Sequence, residues 1–180
     1  MNRIDCFVPF VSDEQVAVTA ANLRAESEVA KVEFLDAAIF KSTTGIRKIA
    51  ESAAAPFPMI YTKTTELSFG QFALERFLSI AEDSSAAMVY ADHFNEVDGN
   101  RAFAPVIDCQ EGALRDDFDF GSVLIYRTSA LKEAVARMDV DYEYAGLYDL
   151  RLKVSQRGSL VHINEYLYYE IETDTRKSGE

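Results

Sequence analysis

Three aspartates in this 180-residue chain stand where a carboxylate can do chemistry. Asp36 closes the run Val32-Glu33-Phe34-Leu35, and Asp92 follows the apolar run Ala86-Ala87-Met88-Val89-Tyr90-Ala91. Asp149 lies in Tyr148-Asp149-Leu150-Arg151-Leu152, which reads as the first turns of a helix. Ligands of open α/β sheets bind beyond the carboxyl ends of the strands, so an acid there can accept hydrogen bonds from a ligand's hydroxyls or hold a divalent cation. An acid in a helix's first turn gains up to about 1 kcal/mol from the helix dipole, and within hydrogen-bond reach of a hydroxyl it can also act as a general base. Each has a plainer alternative in a loop or capping acid. A second acidic cluster, Arg115-Asp116-Asp117-Phe118-Asp119-Phe120-Gly121, precedes a strand-like run. The two histidines, His93 and His162, offer no His-x-x-x-His or Cys-His spacing; His162 reads as a structural residue in a strand.

Positioning these acids requires alternating strands and helices. Ile4–Pro9, Val32–Asp36, Met59–Thr62 and Ala86–Ala91 read as strands, and the first four are expected to run parallel. Between them, Ser12-Asp13-Glu14-Gln15 forms a capping box ahead of a helix with Val16, Ala20 and Leu23 on its apolar face. A second helix carries Ile46, Ile49, Ala50 and Ala53 on one face and stops before Pro56. Ser68-Phe69-Gly70-Gln71 reads as another capping box, opening a helix with Ala73, Leu74, Phe77, Leu78 and Ala81 at helical spacing. Beyond Asp92, Asp98-Gly99-Asn100 reads as a hairpin turn and makes the sheet mixed. Gly121–Arg127 is a further strand, Ser129–Met138 and Leu147–Gln156 are helices, and the last helix is expected to end on a left-handed Gly158. Leu160–Ile163 and Tyr166–Ile171 read as two closing strands. The expected fold is one α/β domain whose mixed central sheet is parallel in its N-terminal half, with helices on both faces.

Composition narrows the partners. A net charge of −12 argues against nucleic acid, whose binding draws on clustered Lys and Arg. A diphosphate would need that surplus of acids offset by a metal ion or by a few placed basic residues. No apolar run approaches the roughly 20 residues of a membrane span, and no signal peptide opens the sequence, so the expected location is the cytoplasm. Cys6 and Cys109 are read as buried thiols. Gly-x-Gly-x-x-Gly, the P-loop and Gly-x-Ser-x-Gly are all absent, which argues against a dinucleotide site, a P-loop NTPase and an α/β-hydrolase. The polar stretch 173–180 is expected to lead into further domains of a longer protein.

Taken in chain order, these segments resemble the inverting glycosyltransferases of family 2, which have the GT-A fold. Asp5-Cys6-Phe7-Val8-Pro9-Phe10 is similar to the family's first strand ending in proline, and Val32-Glu33-Phe34-Leu35-Asp36 to its second strand ending in an acid. Tyr90-Ala91-Asp92 stands in the place of its Asp-x-Asp motif, and Tyr148-Asp149-Leu150-Arg151-Leu152 through Gly158 resembles its Glu-Asp segment with a downstream glycine. The resemblance implies that Pro9, Phe10 and Asp36 line a nucleotide pocket and that Asp92 holds Mg²⁺ or Mn²⁺ on the diphosphate of a nucleotide-sugar. Asp149 would be the base that activates a hydroxyl of a glycan or lipid-linked acceptor. Residues 1–92 would form the nucleotide-binding half and 93–172 the acceptor half. Tyr90 stands where the family has its first metal-motif acid, Ala37-Ala38 where it has an acid and a small polar residue, and Tyr148 where it has Glu. These substitutions keep a second function open, a degenerate GT-A domain that binds or scaffolds without catalysis. A sugar-activating nucleotidyltransferase would need a glycine-rich, basic N-terminal loop, which the sequence lacks.

Overall fold

A computed structural model describes residues 3–110 and 118–172. Eight strands form one sheet: β1 (Ile4–Phe10), β2 (Val29–Asp36), β3 (Phe57–Tyr61), β4 (Glu66–Phe69), β5 (Met88–Val97), β6 (Asn100–Ala104), β7 (Val123–Tyr126) and β8 (Leu160–Glu172). Five helices join them: α1 (Asp13–Ala25), α2 (Thr43–Ser52), α3 (Ala73–Asp83), α4 (Thr128–Val135) and α5 (Gly146–Ser155). The strand order is β2-β1-β3-β7-β5-β8-β4, with β6 paired to β5. β1 is parallel to β2 and β3, β7 is antiparallel to both β3 and β5, and β8 is parallel to β5. The strand leading to Asp92 therefore runs in the same direction as the first three, but β7 separates it from them.

The two faces follow from strand alternation. Phe7, Ile60, Leu124, Tyr126, Met88 and Tyr90 point to one side, under Ile46 and Ile49 of α2, Leu131 of α4 and Leu147 and Leu150 of α5. Ile4, Cys6, Val8, Met59, Tyr61, Val123, Ile125, Val89 and Ala91 point to the other, under Leu23 of α1 and Leu74, Phe77 and Leu78 of α3. The helical spacings put the expected residues inside: Val16, Ala20, Leu23, Ile46, Ile49, Ala50, Ala73, Leu74, Phe77, Leu78 and Ala81 are all buried. α1 is capped as expected, the Gln15 N–H donating to Ser12 Oγ at 3.3 Å.

Four expectations are corrected. β5 does not stop at Asp92; it continues to Val97 because the hairpin gives its second half a partner, β6, through Asp98 and Gly99, both at positive φ. Ser68 caps no helix: it lies in β4 opposite Tyr169, and α3 starts beyond a left-handed Phe72 without a side-chain cap. Pairing with β8 outweighs the local capping preference there. Gly158 is not at positive φ; a Cβ on it would stand 3.1 Å from the Ala87 Cβ, a tight contact that favours the small residue there. The two closing strands are one, β8, interrupted only by bulges where Ala91 pairs with Ile163 but Asp92 pairs with Tyr166.

Candidate functional site

The chain leaves β1 through α1 to reach β2 on one side and returns through α2 to β3 on the other. That reversal opens a crevice beyond the carboxyl ends of β1 and β3, where α/β sheets bind ligands. A cavity of about 380 Å³ lies there, lined by Pro9, Ala37, Phe40, Lys41, Thr62, Lys63, Thr64 and Thr65. Both of its flanking loops are fastened. The Ala37 N–H donates to the Phe10 carbonyl at 2.9 Å, and the Ala38 N–H donates to Asp36 Oδ1 at 2.9 Å. Ser42 Oγ accepts from the Gly45 N–H at 3.1 Å and caps α2. On the other side, the Tyr61 hydroxyl donates to the Thr65 carbonyl at 3.0 Å, and Gln15 Nε2 donates to the Thr64 carbonyl at 3.1 Å.

Two lysines, Lys41 and Lys63, line this cavity. Lys63 Nζ makes a 2.5 Å ion pair with Glu170, a fully buried carboxylate on β8 that also accepts from the Ser122 hydroxyl. Lys41 is exposed as a residue, and its pKa is pushed below the usual lysine range by partial burial of the ammonium first, then by the nearby charges of Arg151 and Lys63. Arg151 lies on α5 with its guanidinium over the Phe120 ring, 5.1 Å from the ring centre, and its buried Nε has no hydrogen-bond partner.

α5 is seated on the same loop that supplies Phe40 and Lys41. The Leu147 N–H donates to the Lys41 carbonyl at 3.2 Å, and a Cβ on Gly146 would stand 2.4 Å from Ser42 C and Thr43 N. Gly146→Ala is therefore expected to lower stability by ~1–3 kcal/mol, although Ala is the better helix former by about 1 kcal/mol, because backbone cannot yield as a flexible side chain can. A melting temperature equal to or above wild type would show that α5 is not held against the loop. Asp149 is buried in the first turn of α5. Its Oδ1 pairs with Lys153 Nζ at 2.5 Å, while the buried Oδ2 has no hydrogen-bond partner.

Asp92 is elsewhere. It is 1% exposed within β5, and its Oδ1 accepts from the Val106 N–H at 2.9 Å and meets His162 Nε2 at 2.7 Å. His162 Nδ1 meets Asp108 Oδ1 at 2.7 Å, so the imidazole bridges two carboxylates. His162 also stacks on Tyr90, their ring centres 5.3 Å apart. The Tyr90 hydroxyl donates to the Ile107 carbonyl and accepts from the Cys109 N–H, each at 2.8 Å. The Asp92 cluster thus ties the segment after β6 to the sheet. Its neighbour His93 stacks on Tyr168 and stands 3.5 Å from Glu170. Burial lowers the His93 pKa despite that carboxylate, which already has Lys63 and Ser122 as partners.

The contacts around Asp92 leave a divalent ion little to bind beyond its second oxygen. One oxygen already has two partners, Tyr90 spends its hydroxyl on backbone, and both nitrogens of His162 are engaged. Among the described residues, no three His, Cys, Asp or Glu side chains are grouped to ligate a cation.

Of the residues expected at the site, Pro9 lines the crevice, and Phe10 is half-buried at the end of β1 without lining it. Asp36 is exposed and lines a separate groove of about 590 Å³ with Glu33, Lys48 and Glu51 on the outer side of β2. Lys41, Thr62, Lys63 and Arg151 were not foreseen. The polar run Thr62-Lys63-Thr64-Thr65 directly after a strand was the available signal. Arg115, Asp116 and Asp117 of the acidic cluster lie outside the described residues. Of the two cysteines, Cys6 is buried and Cys109 is partly exposed.

No protein-family model matches the sequence, and no curated protein matches it. Solved structures do match. The crystal structure of S. aureus TarS 1–349 superposes with a TM-score of 0.64 at 11% identity over 93% of this chain. The same protein in complex with UDP gives 0.59 at 11% identity over 94%, and in complex with UDP-GlcNAc 0.54 at 10% identity over 94%. This chain spans 60% of the TarS 1–349 chain in the first of these. At such identity the likeness speaks for the fold alone, a mixed α/β sheet flanked by helices.

Proposed function

We propose that this chain is the donor-binding domain of an inverting glycosyltransferase related to family 2, moving a sugar from a nucleotide-diphosphate donor to a hydroxyl of a glycan or lipid-linked acceptor. The observation that carries the reading is the crevice at the sheet's switch point, with Pro9 at the end of β1 and two lysines on its walls, in a fold shared with a protein crystallised with UDP and with UDP-GlcNAc. Residues 1–92 supply its walls, and residues 93–172 contribute α5. Asp36 ends β2 one residue before Ala37 of the crevice wall, and in this reading its carboxylate turns from the neighbouring groove to accept from the ribose or base.

In the proposed reaction, Asp149 Oδ2 removes the proton of the acceptor hydroxyl as its oxygen attacks the anomeric carbon. The bond from that carbon to the diphosphate oxygen breaks with its electron pair staying on the leaving group, and a single displacement inverts the configuration. No step is assigned to a divalent ion at Asp92. No helix among the described residues is long and apolar enough to cross a membrane.

The test is calorimetry against a panel of nucleotide diphosphates and their sugars, followed by anomeric analysis of any product. Heat from at least one nucleotide is expected; silence across the panel would sink the proposal. The engagement of Asp92 and the tyrosines at 90 and 148 favour a second reading, a binding module without catalysis. Nucleotide binding with no turnover of any donor would support it.

A further inference from the structure

The switch-point crevice has a charge sign opposite to that of the chain around it. The protein carries −12, yet the described residues lining this cavity include two lysines and three threonines and not one acid. The neighbouring groove on β2 shows the contrast, with Glu33, Asp36 and Glu51 against Lys48. Lys41, Lys63 and Arg151 lie close enough for both partners to disfavour the Lys41 charge. Glu170 pairs with Lys63 and so offsets one of these three charges. Cations gathered along the wall of a cleft repel one another until an anion enters, and charge-assisted hydrogen bonds are the strong ones for holding phosphate. Meanwhile Asp92 is two strands away from β3, beyond β7, and already engaged.

Given a nucleotide-diphosphate sugar as donor, the reading proposed for this site, we infer that its diphosphate is neutralised by Lys41 and Lys63, with Arg151 adding to the field and the threonine hydroxyls donating, so that donor binding needs no divalent metal. The lysines serve binding and then stabilise the departing nucleotide diphosphate as its negative charge grows. No atom is transferred to them.

Calorimetry distinguishes this arrangement from a metal-bridged one. The probes are inorganic pyrophosphate, which is blind to the base, and UDP and GDP, each titrated in EDTA and again in Mn²⁺. Wild type is expected to bind pyrophosphate and at least one nucleotide in EDTA within about threefold of its affinity in Mn²⁺, and to lose affinity as salt is raised. Lys41→Met, which keeps the length of the stem, is expected to weaken both by about tenfold or more, the usual worth of a charge-assisted bond. Wild-type binding that appears only with Mn²⁺ would overturn the inference and leave the glycosyltransferase reading standing. Binding in EDTA that Lys41→Met leaves unchanged would overturn it too. Failure of UDP and GDP under both conditions, with pyrophosphate still bound in EDTA and weakened by Lys41→Met, would instead count against the nucleotide reading and keep the anion site. The wild-type comparison needs no variant to fold, and a far-ultraviolet spectrum and melt of Lys41→Met separate lost folding from lost binding.

Discussion

Asp149→Asn is expected to slow sugar transfer by ~10²- to 10⁴-fold while leaving nucleotide affinity unchanged. The amide keeps the size and one acceptor oxygen of the side chain but cannot take a proton from the acceptor. The folded state should tolerate the change. The i,i+4 pair with Lys153 is mostly buried, so its loss costs more than the ~0.3–0.5 kcal/mol of an exposed pair, about 1–2 kcal/mol, and the melting temperature should fall by roughly 2–8 °C. The measurement is single-turnover transfer alongside calorimetric nucleotide binding. If the Asp149→Asn protein transferred sugar at the wild-type rate, Asp149 would be a helix-terminal acid paired to Lys153 and nothing more. A loss of nucleotide binding in parallel would point instead to collapse of the loop on which α5 rests.

Asp92→Ala is expected to act on stability. The substitution strands a buried Val106 N–H and removes one of the two carboxylates that hold His162, at a site 1% exposed. A buried donor left without a partner costs ~1–3 kcal/mol, and losing the buried hydrogen bond between Asp92 and His162 adds ~1.5–3 kcal/mol. A total of about 3 kcal/mol or more corresponds to a melting temperature lower by roughly 6–12 °C in a chain of this size. Asp92→Asn should lose much less, because its amide oxygen still accepts from Val106. His162→Phe should fall between them: it preserves the stacking on Tyr90 but frees Asp108 and with it one tie to the segment after β6. Thermal melts of the three variants check this order. An Asp92→Ala protein with a wild-type melt but without Mn²⁺-dependent nucleotide binding would restore Asp92 to the role that its resemblance to the Asp-x-Asp motif implies.

What the sequence determined by itself are the features set by near neighbours in the chain. Helical spacing identified the buried faces of α1, α2 and α3, since residues three and four apart share one side of a helix whatever lies beneath it. Ser12 and Gln15 marked the start of α1, and Asp98-Gly99 marked the hairpin, because capping and primed turns are decided within four residues. The end of β2 at Asp36 was legible for the same reason. Tertiary structure alone decided which strand ends meet. The insertion of β7 between β3 and β5 moved Asp92 away from the crevice that Pro9 lines, and no local pattern encodes the order of strands in a sheet. Long-range pairing also overrode local signals at Ser68, which became a rung of β4, and at Asn164-Glu165, whose polar pair looked like a break and is a bulge in β8. The cationic crevice was hidden in sequence because Lys41, Lys63 and Arg151 are 22 and 88 residues apart, and like charges gather only when the fold offers compensation such as the buried Glu170 beside Lys63. His162 read as an ordinary strand residue since its partners, Asp92 and Asp108, lie 70 and 54 positions away, and hydrogen bonds of that reach exist only once the sheet has closed.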